Sequence, residues 1–320
     1  MEEAIENAKK AIPAEVRMIS GCRDEQTSAD VSNVASFQLP DPDGSAGGAC
    51  TSALLNVLYA DHKKLEEDLS FQQVLLKVRD VLKEKGFAQI PQLSSSRPID
   101  IKNTFDLVPN HVTGTRRAVM IGINYVGDNP GELAGCHNDV GNMKDYIQDV
   151  HDFDEENITL LMDDGEHISP TRDNILAAYR RIVEESQPGD AVFCHYSGHG
   201  GKLRDDNGDE ADGYDETLVP VDYATEGQIR DDLLFKNLVG GFREGVFCTF
   251  VMDCCHSGSV LDLPFQFKAD GENDSMGVSS GFDFNSLLSM AASMNDTNMF
   301  ADIASNPQKL LALCGSCTIS

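Results

Sequence analysis

Two short segments of the chain combine thiols, imidazoles and glycines. They are Phe193-Cys194-His195-Tyr196-Ser197-Gly198-His199-Gly200 and Thr249-Phe250-Val251-Met252-Asp253-Cys254-Cys255-His256-Ser257-Gly258. A free thiol has a pKa of about 8.5 and needs a nearby base to become a nucleophile at neutral pH. His199 and Cys255 are the candidate base and nucleophile, and the flanking glycines let a substrate backbone approach. Strand alternation puts Ser197 with His199, and Asp253 with Cys255, on common faces. Cys254 falls instead with Met252, Phe250 and Cys248, all apolar or weakly polar, and reads as a packing residue. Zinc held by Cys254, Cys255, His256 and His199 is the weaker reading, because adjacent ligands do not match the C-x-x-C spacing of common zinc sites.

Between the two segments lies an acidic run, Asp205-Asp206-Asn207-Gly208-Asp209-Glu210-Ala211-Asp212-Gly213-Tyr214-Asp215-Glu216, followed by Asp222, Asp231, Asp232 and Asp262. Hard cations such as calcium require several oxygen ligands, which such a run supplies. Asp205, Asn207, Asp209 and Glu216 fit four liganding positions of an EF-hand loop. Glu210, however, stands where that loop needs glycine, and the segment follows a strand, so it is not an EF-hand; a solvated acidic loop is the plain alternative. A third segment, Leu133-Ala134-Gly135-Cys136-His137-Asn138-Asp139, opens a helix. Asp139 there is either an acid favoured by the helix dipole or a pocket residue.

The elements that must position these groups alternate from Arg117 onward. Strands are expected at Ala118–Tyr125, Ile158–Met162, Ala191–Ser197 and Val246–Asp253, and helices at Asn138–His151, Thr171–Glu185 and Leu233–Val239. Near-continuous apolar strands separated by helices imply a mainly parallel sheet covered on both faces, with chemistry at the carboxyl ends of its strands. Before this region lie a short helix, a strand near Arg17–Gly21, a polar loop over residues 22–48, and helices at Cys50–Tyr59 and Phe71–Leu82. A short strand at Gln89–Leu93 follows. After Pro264 the chain turns polar, and residues 268–320 read as a loosely held tail with a helix around Asn285–Met294.

The chain has 320 residues, 41% hydrophobic, and a net charge of −28; its mean hydropathy is −0.28. Such a charge argues against nucleic acid or an anionic membrane as partner, since phosphate binding needs clustered Lys and Arg. It suits cationic substrates and divalent ions. No apolar run approaches the ~20 residues of a membrane span. The first residues carry early acids and no apolar core, so no secretory signal is expected and a cytoplasmic location is. Nine scattered cysteines do not form a disulfide framework. Cys314-Gly-Ser-Cys317 is a single C-x-x-C without a second pair.

With these residues assembled, the sequence resembles the metacaspases over residues 18–100 and 117–264. Tyr196–Gly200 (YSGHG) and Asp253–Gly258 (DCCHSG) are similar to the family's two catalytic blocks. The resemblance implies a cysteine endopeptidase, linked to programmed cell death, that uses His199 and Cys255 as a dyad and cleaves proteins or peptides after Arg or Lys. Backbone N–H groups near Gly200 and Cys255 then form the oxyanion site. It further implies calcium as cofactor on Asp215, Asp231, Asp232 and Asp262, from GYDETLVPVD at 213–222 and IRDD at 229–232. Cys136, Asp139, Ser197 and Asp253 would line the substrate pocket.

Segments 20–30 and 71–100 resemble the family's small accessory region, which ordinarily follows the catalytic one. Here it precedes it, as in the type III metacaspases of algae. The expected organisation is an accessory region over 1–110, a catalytic region over 111–267 and the tail over 268–320. The expected fold is a caspase-like α/β sandwich with permuted region order, its accessory strands beside Val246–Asp253. The usual cut between regions then has no direct counterpart. A monomer is expected, with the accessory strands covering the edge that caspases use to pair. Two rival readings are a catalytically silent, calcium-responsive binding protein on the same fold, and a thiol enzyme gated by a disulfide through Cys194, Cys248 or Cys254.

Overall fold

The computed structural model describes residues 1–21, 30–31, 47–64, 68–128, 131–205, 213–254, 258–280 and 282–295. Eight strands form the central sheet: β1 (Glu15–Ser20), β2 (Gln92–Ser95), β3 (Arg116–Gly122), β4 (Ile158–Met162), β5 (Ala191–Ser197), β6 (Phe247–Asp253), β7 (Phe265–Lys268) and β8 (Gly277–Val278). Their spatial order is β8-β7-β2-β1-β6-β5-β3-β4. The pairs from β4 through β3, β5 and β6 to β1 are parallel, and those among β1, β2, β7 and β8 are antiparallel.

Every residue of β5 and β6 is buried, as expected of central parallel strands covered on both faces. Side chains alternate between two cores. One contains Met120, Phe193 and Val251 and is covered by α2 (Ala49–Leu58), α3 (Phe71–Glu84) and α4 (Cys136–His151). The other contains Ile121, Cys194, Cys248 and Phe250, beneath α1 (Glu2–Ala11), α5 (Arg172–Glu185) and α6 (Asp231–Asn237). Helix α3 starts on a capping box: Ser70 Oγ accepts the Gln73 N–H while Gln73 Oε1 accepts the Ser70 N–H. Its apolar stripe of Phe71, Val74, Leu75, Val78 and Leu82 is the buried face.

The accessory and catalytic regions share this one sheet. Strand β1 pairs with β6 from Glu15 opposite Phe247 to Ser20 opposite Met252, placing the accessory strands beside Val246–Asp253 as the resemblance implies. Two expectations need correction. Strand β3 ends at Gly122 rather than Tyr125, and Tyr125 takes a left-handed backbone with φ of 52°. The segment after 268 is not loose over its described part. Strand β8 extends the sheet edge, and α7 (Phe284–Asn295) packs on the second core through Leu287, which is buried. The C-x-x-C at Cys314 and Cys317 lies outside the described residues. Among the described residues no helix is long and apolar enough to cross a membrane.

Candidate active site

Strands β5 and β6 run in register to their carboxyl ends, where Asp253 stands opposite Ser197. The chain leaves β5 at Gly198 and reaches His199, whose backbone is gripped on both sides. The His199 N–H donates to Tyr125 Oη at 2.9 Å, and the Tyr196 hydroxyl donates to the His199 carbonyl at 2.8 Å. The Tyr125 hydroxyl in turn donates to the Val219 carbonyl at 2.7 Å. Glycine at 198 makes room for this grip, because a Cβ there would lie 3.0 Å from Tyr196 Oη and 3.2 Å from Tyr125 Oη.

The imidazole of His199 lies against the Tyr125 ring, with centroids 4.6 Å apart and planes inclined by 35°. Its Nε2 is 2.7 Å from the Gly131 carbonyl. A carbonyl only accepts, so Nε2 carries the hydrogen in this bond and the Nδ1 lone pair is left to take a proton. No orienting third group is legible in the sequence; the structure supplies one from the main chain.

Asp139, Ser197 and Asp253 come together beside this strand end, and all three are buried. Ser197 Oγ–H donates to Asp139 Oδ2 at 2.6 Å. The N-terminus of α2 closes the group. Gly48 N–H lies 2.8 Å from both Asp139 oxygens, and Thr51 N–H donates to Asp253 Oδ2 at 2.7 Å. The first N–H groups of a helix have no partner within it, and its dipole is positive at that end, so two carboxylates are stabilised there. A Cβ on Gly48 would fall 2.7 Å from Asp139 Oδ2 and closer still to Asp253 Oδ2. Cys136, one turn before Asp139, is also buried, and its N–H donates to Asn124 Oδ1 at 2.9 Å.

Cys254 is buried in the core with Cys248, Phe250 and Met252, the packing place that strand alternation gives it. Cys255 lies outside the described residues, as does His256. Gly200 begins a strand, Gly200–Arg204, that pairs with Tyr214–Leu218 in a small second sheet completed by Ile229–Arg230. Burial pushes the Cys194 and Cys248 thiols up, away from the thiolate that disulfide exchange requires.

The four expected calcium ligands have oxygen donors of the right kind, but the described residues do not present a ready cage. Arg230 pairs with Asp215, and Lys236 Nζ is 3.7 Å from Asp232. Asp231 accepts the Glu216 N–H at 2.7 Å and the Asp232 N–H at 2.8 Å. Asp262 sits in a turn at φ of 48°. Among the described residues no three His, Cys, Asp or Glu side chains converge at metal-binding spacing. Residues 206–212 of the acidic run lie outside the described residues.

The groups that sequence reasoning misses are Tyr125, Tyr196, Gly48, Thr51 and the Gly131 carbonyl. Gly47 and Gly48 fall within the expected polar loop over 22–48, and a glycine there does not announce which side chains approach it.

Comparison with known proteins gives the family. The model of the metacaspase, peptidase C14 domain matches residues 116–264, and that of the caspase domain matches residues 2–101. The chain is 59% identical over 290 residues to Metacaspase III c of Phaeodactylum tricornutum, covering 90% of this chain and 86% of that one. It is 40% identical over 191 residues to Metacaspase-1B of Aspergillus fumigatus, covering 57% of this chain and 47% of the relative. With Metacaspase-1A of Aspergillus clavatus the identity is 47% over 161 residues, 50% of this chain and 37% of the relative. The chain therefore belongs to the metacaspases, with a type III-like order of regions, and is a cysteine endopeptidase on a caspase-like fold.

Proposed function

We propose that this peptidase cleaves protein and peptide substrates after Arg or Lys, with Cys255 as nucleophile, His199 as base and calcium as activator. The observation that carries the specificity is the buried pair Asp139 and Asp253, so close together that one added methyl at Gly48 would strike both. A guanidinium offers donors in a planar fork that suits carboxylates, whereas an acidic substrate side chain would meet two like charges. Ser197 steadies Asp139, and Cys136 lines the same wall. An entering basic side chain shares the carboxylates with the N–H groups of Gly48 and Thr51.

In the reaction, His199 Nδ1 takes the Cys255 thiol proton and the sulfur attacks the scissile carbonyl. N–H groups near Gly200 and Cys255 hold the oxyanion. His199 returns the proton to the leaving amine, and water hydrolyses the thioester. Asp215, Asp231, Asp232 and Asp262 would hold calcium through their carboxylate oxygens, in place of the ion pairs that Asp215 makes with Arg230 and Asp232 with Lys236. The working form is a monomer acting on protein rather than nucleic acid.

Paired fluorogenic peptides ending in Arg or Asp, assayed with calcium and with chelator, test the reading. Calcium-dependent cleavage after Arg alone is the expected result. Cleavage after Asp would overturn the pocket, and equal rates with chelator would remove calcium.

A further inference from the structure

We propose that Tyr125 is a positioning residue for His199 and that Asp163 is the anchor that holds Tyr125 in place; the inference rests on the reading of His199 as the general base. A bulky residue with positive φ is uncommon and costs free energy, so its surroundings must impose it. Tyr125 has φ of 52°. Asp163, the residue after β4, accepts the Asn124 N–H at 2.8 Å through one oxygen and the Val126 N–H at 3.0 Å through the other. One carboxylate thus pins the amides on both sides of the left-handed residue.

The anchor is itself fixed. His137, in the first turn of α4, places Nε2 2.6 Å from Asp163 Oδ1. Burial works to raise the Asp163 pKa, but the bonds from His137, Asn124 and Val126 outweigh it and hold the group below the usual carboxylate range. It is therefore ionised at neutral pH and accepts through both oxygens.

Held in this way, the Tyr125 side chain makes two separate contacts with His199. Its hydroxyl accepts the His199 N–H and donates to Val219, using both capacities of the group in a buried place. This sets where the His199 main chain leaves β5. Its ring lies on the imidazole, where an aromatic face favours the cation formed when the base takes a proton. Packing alone would be served by phenylalanine in a relaxed backbone. The left-handed turn, the two-sided anchor and the hydroxyl aimed at His199 N–H together place the catalytic ring.

The test compares Tyr125→Phe, which removes only the hydroxyl, with Tyr125→Leu, which also removes the ring, and with Asp163→Asn. Turnover of an Arg peptide is measured beside the pH dependence of iodoacetamide alkylation, read by mass spectrometry on the peptide that carries Cys255. A misplaced base should lower kcat by about tenfold to hundredfold in Tyr125→Phe, with KM nearly unchanged and a larger loss in Tyr125→Leu. The alkylation profile should move toward that of an unassisted thiol, near pH ~8.5, in all three variants. Unchanged kcat and alkylation would overturn the proposal, and so would a fall in kcat with an unmoved alkylation profile, since the latter marks a structural role only. His199→Ala separates the two readings. If it retains turnover, the general-base assignment fails; if it is inactive while Tyr125→Phe and Asp163→Asn behave as wild type, only the positioning role fails.

Discussion

Replacing Gly48 with alanine adds one methyl group against the two buried carboxylates of the candidate substrate pocket. The backbone accepts this change, because Gly48 has φ of −70° and ψ of 136°, an ordinary extended conformation for any residue. Any effect therefore comes from the new Cβ. Ordinary contact begins at 3.4 Å, and the Cβ would stand 2.7 Å from Asp139 Oδ2, so the helix or the carboxylate must retreat by at least 0.7 Å (3.4 − 2.7). Such a shift breaks the bond from the Gly48 N–H to Asp139 and leaves a buried carboxylate short of a donor. A hydrogen bond to a charged group contributes about 1.5–3 kcal/mol. Each kcal/mol lowers Tm by roughly 2–4 °C in a chain somewhat smaller than this one, so a fall of about 3–12 °C is expected. Thermal unfolding measures this, and kcat/KM on an Arg peptide should fall with it, because the displaced pair no longer stands where the proposed basic side chain would meet it. Combining Gly48→Ala with Asp139→Asn provides the control, since coupled sites give a non-additive loss. A Tm and kcat/KM both equal to wild type would refute the close packing of Gly48 on the acid pair.

Three further outcomes follow from the same structure. Cys255→Ala should abolish peptide hydrolysis, while Cys254→Ala, which trims a packed core residue, should cost about 1 kcal/mol of stability and retain turnover; the reverse pattern would move the nucleophile to Cys254. His195 is buried, and burial lowers its pKa from 6.5 to about 3. The unfolded chain therefore binds a proton that the folded chain refuses, so this contribution is fully present above pH 6.5 and is lost as pH falls toward 3. His195→Gln should reduce the slope of stability against pH in that window by up to about 1.4 kcal/mol per unit, and an unchanged slope in urea unfolding would contradict it. His151, lowered to about 4 by burial first and then by nearby Arg116, acts in the same direction and leaves a residual slope in the variant.

Much of the fold was legible because its signals are local. Strand β4 begins and ends at the residues its apolar run predicts, and α3 starts at Phe71, where the Ser70 cap and the stripe agree. The end of β3 was not legible. Ile123-Asn124-Tyr125 continues an apolar pattern, and nothing in it shows that Asp163, some forty positions away, takes the amides out of the ladder. The catalytic blocks were legible from residue types, whereas the meeting of Asp139 with Asp253 was legible only through the family resemblance. The Gly131 carbonyl and the α2 amides were not, because main-chain atoms leave no residue signature and their placement depends on the whole fold. Strand alternation placed Cys254 correctly but says less about His199, which stands beyond the last residue of β5, where tyrosine hydroxyls rather than the ladder fix it.

The pairing of β1 with β6 also bears on how the chain comes off the ribosome. Glu15 lies opposite Phe247, so β1 waits for a partner 232 residues downstream (247 − 15). At synthesis rates of about 5–20 residues per second that wait is roughly 10–50 s. Until then β1 can pair only with β2 on its other side, as a nascent two-stranded ribbon, and such a ribbon is marginal by itself in water. Strand β6 is thus the one that joins both regions, and the parallel part of the sheet stays incomplete until it emerges.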